Sequence, residues 1–82
     1  MTHKVELFEG IVARDTPHGK IVLHVPLIRW RGQFRNANTG ILEPWLRKVE
    51  TMAGARAVLF TDAVARTVAK LERLERESRE SA

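Results

Sequence analysis

The sequence predicts an α+β fold: an N-terminal antiparallel β-hairpin packed with one short helix and one C-terminal amphipathic helix. Three observations carry this. Two stretches rich in Val, Ile, Leu and Phe flank a turn-forming cluster. Apolar residues recur at helical spacing from Leu42 to Ala53 and again after Ala63. The sign-alternating run Lys70–Glu77 closes the chain with charges paired four residues apart.

Lys4–Arg14 forms the first strand, with Gly10 inside it as a bulge signal. Asp15-Thr16-Pro17-His18-Gly19 is a turn: Asp can bond its own backbone, Pro presets φ, and Gly permits φ > 0. Lys20–Trp30 resumes the strand, with Ile21, Leu23, Val25 and Leu27 on one face and Val22, His24, Pro26 and Ile28 on the other. Pro26 lacks a ladder donor and points to an edge or a bulge. Gly32 and Asn36–Gly40 punctuate a loop.

Leu42, Trp45, Leu46, Val49, Met52 and Ala53 then predict a short helix, with Pro44 in its first turn, Trp45 in the core and Gly54 as C-cap. Two readings stay open for Arg56–Phe60, a third short strand or a continuation of helix. Thr61-Asp62 is a good N-cap for a helix running from Ala63 to about Ser78. Its pairs Glu72–Arg76 and Glu75–Arg79 stand in the favourable order. One domain over 1–80, with a frayed tail at 79–82, is the expected organisation.

The charge is focused. The chain of 82 residues carries a formal net charge of +4. Residues 1–28 hold three basic against three acidic side chains, and residues 49–82 hold six against six. The window 29–48 holds Arg29, Arg31, Arg35, Arg47 and Lys48 against Glu43 alone. Such a patch is what phosphate binding requires, since Arg forks grip phosphates and Trp30 or Phe34 could stack on bases. The plainer alternative is that Trp30 and Phe34 are core and the arginines a solvated face: in an extended chain Arg29, Arg31 and Arg35 share one side and the aromatics the other. The helix Leu42–Ala53 has no Asn or Gln to read base edges, so contacts mainly to phosphates are expected.

Other chemistries find little support. There is no cysteine and no tyrosine, and the only serines, Ser78 and Ser81, lie in the tail. His3, His18 and His24 form no ligand motif, so neither a metal nor a cofactor is expected. Glu6 and Glu9 would face opposite sides of a strand and cannot act as an acid/base pair. An enzyme is not expected. No apolar run approaches the ~18 residues of a membrane span, and Met1–Glu6 has no apolar signal core, which points to the cytoplasm.

A chain this short buries only about 60–65% of its unfolded surface. Without disulfides, self-association is the expected supplement. Phe60, Val64, Leu71 and Leu74 follow a heptad-like stripe that serves either as a homodimer seam or as the face packed on the hairpin. The nonapeptide Arg56–Val64 resembles the wing-to-last-helix segment of small excisionase-type DNA-binding proteins; the helix-turn-helix signature that precedes it in that family is absent, and no residue role is carried over.

The expectation is therefore a small basic dimer that contacts nucleic acid with little sequence specificity. The alternative is a protein-interaction module, a small regulator or inhibitor that docks on a larger complex, for instance one that handles nucleic acid.

Overall fold

The computed structural model describes residues 5–81. Lys4, the predicted start of the first strand, and His3 lie outside the described residues, as does Ala82. The fold is α+β, as predicted: a four-stranded antiparallel sheet in the order β3-β2-β1-β4, followed by two helices. Strand β1 is Leu7–Thr16 and β2 is Gly19–Trp30, with an uninterrupted register from Leu7 opposite Ile28 to Thr16 opposite Gly19. Thr16, rather than Asp15, closes the turn: its hydroxyl donates to Gly19 O at 2.6 Å and accepts from His18 N–H.

No bulge occurs at Gly10. Its glycine serves close approach instead, because a Cβ there would lie 2.6 Å from Leu46 Cδ1. Pro26 sits where β2 loses its outer neighbour, and its carbonyl accepts Ala37 N–H at 2.8 Å, which fits the predicted edge position.

Three sequence expectations are corrected. First, residues 29–35 are not one extended run. The chain reverses at Arg31-Gly32, both at positive φ (53° and 76°), the signature of a tight hairpin turn that twists with its strands, and returns as β3, Gln33–Asn36.

Second, 42–53 is not a helix. Leu42 bridges to Arg35 along the outer edge of β3. The chain then crosses to the opposite edge of the sheet and forms β4, Lys48–Thr51, beside β1. Leu46 reaches over Gly10, Val49 stands opposite Gly10, and Met52 is buried with its N–H donating to Leu7 O. Trp45, expected in the core, is 52% exposed.

Third, Gly54 (φ 71°) does not end a helix. It precedes one, α1 (Ala55–Leu59), which settles the open segment as helical and puts no wing there. The third and fourth strands lie elsewhere, at 33–36 and 48–51. Helix α2 follows after a break at Phe60 and runs Thr61–Ser81, two residues earlier at its start and longer at its end than the pattern indicated.

Residues opposite one another in an antiparallel ladder share a face. Leu7, Glu9, Ile28, Trp30 and Arg35 therefore stand on one side, and Phe8, Gly10, Leu27, Arg29 and Phe34 on the other. Helix α2 covers the first side. Ile28, Ala37 and Leu71 form its core, with Leu7, Trp30, Val64 and Val68 packed around them. Thr67 Oγ1 donates to the buried Ala37 carbonyl at 2.6 Å. Val64 and Leu71 are thus engaged by the chain's own sheet, Phe60 is half-buried, and Leu74 is 46% exposed. The crossing segment covers the second side, so Leu27 and Ile28, neighbours in sequence, are both fully buried. Helix α1 is tied to the first side by Arg56, whose Nη1 lies 2.7 Å from the buried Glu9 carboxylate; His24 Nδ1 lies 3.5 Å from its other oxygen. Among the described residues no helix is long and apolar enough to cross a membrane.

Candidate binding surface

The β2–β3 hairpin turn meets the C-terminal half of α2, and most of the chemistry-bearing groups gather there. Arg29 extends from β2 onto the second face. Its guanidinium lies over two rings, 5.0 Å from the centroid of Phe8 and 5.3 Å from that of Phe34, and the rings meet edge to face. The quadrupoles of both rings attract the cation and restrict its orientation. Arg29 is exposed, and among the described residues no carboxylate forms an ion pair with it.

Arg31 occupies the turn. It makes a two-pronged contact with Glu75, Nε to Oε1 at 3.1 Å and Nη2 to Oε2 at 2.9 Å, and lies over the Trp30 ring. Trp30 Nε1 donates to the same Oε1 at 3.0 Å.

The remaining predicted basic residues are dispersed. Arg35, on the helix-covered face, donates from Nη1 to Gly40 O at 2.8 Å. Lys48 stands opposite Ile11 on β4 at the far edge, and Arg47 just precedes it; both are exposed. The tight reversal at Arg31-Gly32 is the physical cause, since it sends Arg29 and Arg35 to opposite faces.

Sequence reasoning missed the α2 side of this region. A cleft of about 550 Å³ between the hairpin turn and α2 is lined by Glu6, Arg31, Glu72, Glu75, Arg76 and Arg79. Arg29 borders it from β2, with its guanidinium on the other face over Phe8 and Phe34. The balanced charge of 49–82 concealed Arg76 and Arg79 as candidates. The expected Glu75–Arg79 pairing in sequence also gave no sign that Glu75 would take Arg31 and Trp30 instead. Among the described residues no cluster of His, Asp and Glu could hold a metal ion.

The hydrogen bond from Arg31, then that from Trp30, holds the Glu75 carboxyl well below its ordinary 4.5, at about 2. Partnership with Glu75 raises Arg31 in turn. A depressed carboxylate stabilises the fold fully above its unfolded pKa and gives up that contribution as pH falls through the folded value. The Arg31–Glu75 pair is therefore expected to hold above pH 4.5 and to dissociate progressively toward pH 2. Trp30 fluorescence should titrate over that window, and Glu75→Gln should remove the transition; an unchanged titration in the variant would assign it to another group. No known protein family, curated protein or solved structure matches this chain.

Proposed function

We propose that the protein is a small non-enzymatic binding protein that contacts nucleic-acid phosphates, with little sequence specificity, as a dimer. The observation that supports this best is Arg29: a solvent-facing guanidinium oriented by two phenyl rings and free of any carboxylate partner among the described residues. An oriented fork of this kind suits a phosphate, because less side-chain freedom is lost on binding. Arg31, Arg76 and Arg79 add positive charge along the cleft between the hairpin turn and α2, across the sheet from the Arg29 guanidinium. Arg47 and Lys48, exposed at the opposite edge, offer a second point of attachment.

The test is titration against labelled duplex, single-stranded DNA and RNA at two salt concentrations. Changing Arg29, Arg76 and Arg79 to Gln should weaken binding, with the log–log salt slope reduced by up to about 0.7–0.9 for each phosphate no longer neutralised. Circular dichroism should stay unchanged, since exposed charges contribute little to stability. Absence of binding to every nucleic acid at low salt would overturn the proposal.

One observation favours a second reading, docking on a larger protein complex. Val58 and Leu59, adjacent on α1, are 70% and 80% exposed. In that case binding to a protein partner should depend on these two side chains and not on the arginines.

A further inference from the structure

The chain exposes 6378 Å², whereas a compact monomer of its mass exposes about 5,000 Å². Its radius of gyration is 14.6 Å, against about 12 Å for a compact chain of this length. One feature contributes to this extended surface. Pairing of β4 with β1 stops at Ile11, and pairing of β3 with β2 stops at Leu27, yet β1 and β2 continue together to Thr16 and Gly19. Beyond those points the hairpin is a two-stranded ribbon, which alone is marginal in water. Ile21, Val22 and Leu23 on it are 43%, 56% and 40% exposed.

The two edges of the ribbon differ. The β1 edge, Val12–Thr16, carries Arg14 and Asp15 and is blunted by charge. The β2 edge, Gly19–Val25, carries Lys20 as its one permanently charged side chain. Its hydrogen-bonding groups can be placed. Pro26 directs its carbonyl outward to Ala37 N–H, and Gly19 directs its carbonyl inward to the Thr16 hydroxyl. Strand alternation then sends the N–H and C=O of Lys20, Val22 and His24 to the open side.

From this we infer that the open edge of β2, residues 19–25, is a homodimer seam in which two copies pair antiparallel about a two-fold axis at Val22. The inference builds on the dimeric state proposed above and does not depend on nucleic-acid binding. A single strand paired antiparallel with its own copy satisfies a two-fold contact without a second surface. The open stretch is centred on Val22, bounded by the turn at one end and by β3 at the other. In this register Lys20 and His24 exchange ladder bonds with their counterparts. Ile21 stands opposite the partner's Leu23 at a non-hydrogen-bonded position, where side chains approach most closely. The chain's surface excess, about 1,400 Å² over all its exposed parts, leaves room for the ~800 Å² that a standard interface takes from each partner. Ile21, Val22 and Leu23 supply apolar surface for it at the seam.

Light scattering at micromolar concentration, without nucleic acid, tests this. The parent chain should show twice its 9.3 kDa mass. Val22→Pro deletes an N–H that the protomer's own sheet does not use, and should give a folded monomer. The double variant Ile21→Lys, Leu23→Lys sets like charges opposite one another across the seam while altering only exposed side chains. It should also be monomeric with an unchanged circular dichroism spectrum, and it decides the matter if the proline variant fails to fold. A monomeric parent would overturn both the dimer and its seam. A parent dimer that survives the lysine variant would overturn the seam alone, leaving self-association to another surface.

Discussion

Leu71→Glu is expected to abolish folding rather than to release a dimer. Leu71 is 6% exposed and belongs to the cluster with Ile28 and Ala37 that joins α2 to the sheet. Its Cδ2 also lies 3.5 Å from where a Cβ on Gly40 would be, so the loop after β3 closes on the same side chain. The substitution removes that packing and places a carboxylate in its stead. A large-to-small change at such a site costs about 2–5 kcal/mol by itself, and an unpaired buried charge adds several more. Small domains hold only about 5–15 kcal/mol in total. Far-UV circular dichroism and thermal melting should show an unfolded chain at 25 °C. Leu74→Glu, three residues on and 46% exposed, should shift stability by no more than about 0.5 kcal/mol. A folded, monomeric Leu71→Glu protein would show that the stripe faces a partner rather than the sheet.

Leu27→Ala is expected to cost about 2–5 kcal/mol, while Leu23→Ala on the same face should cost less than about 1 kcal/mol at concentrations dilute enough for the chain to be monomeric, in keeping with an exposed position in the single protomer. The sequence pattern alone ranks these two leucines equally. Leu27 is fully buried, opposite Phe8 and under the segment that carries Leu46, whereas Leu23 lies on the open ribbon and is 40% exposed. Urea denaturation with an unchanged m-value would report the difference as stability alone. Equal costs at both sites in the dilute chain would mean that Leu23 is buried within its own protomer, whereas an added cost that appears only at higher concentration is what cover by a second copy predicts.

Several elements were legible because their determinants are local. Period-two alternation around Thr16–Gly19 specifies the first hairpin, since the turn residues and the strand pattern agree. The 3.6-residue recurrence of Val64, Val68 and Leu71 specifies α2 and its buried face. The basic residues were found individually, and two of the residues that orient them, Phe34 and Trp30, stood in the same window. Phe8, beneath the Arg29 guanidinium, did not.

What local pattern could not carry is which strand edges are open. Leu42, Trp45, Leu46, Val49 and Met52 have helical spacing, but β1 presents a free edge and Gly10 a site with no Cβ, and a crossing strand satisfies both. Backbone pairing with β1 and the seat of Leu46 over Gly10 outweigh a helical preference that Pro44 and the β-branched Val49 leave weak. The same holds for charge. Arg29, Arg31 and Arg35 are near neighbours in sequence, and the reversal at Arg31-Gly32 separates them. The tertiary packing of that turn on α2 brings Glu75, Arg76 and Arg79 to Arg31 instead, while Arg29 goes to Phe8 and Phe34 on the other face. Sequence determined which segments can bury a face; only the tertiary structure decided which edges and charges meet, because both depend on partners far along the chain.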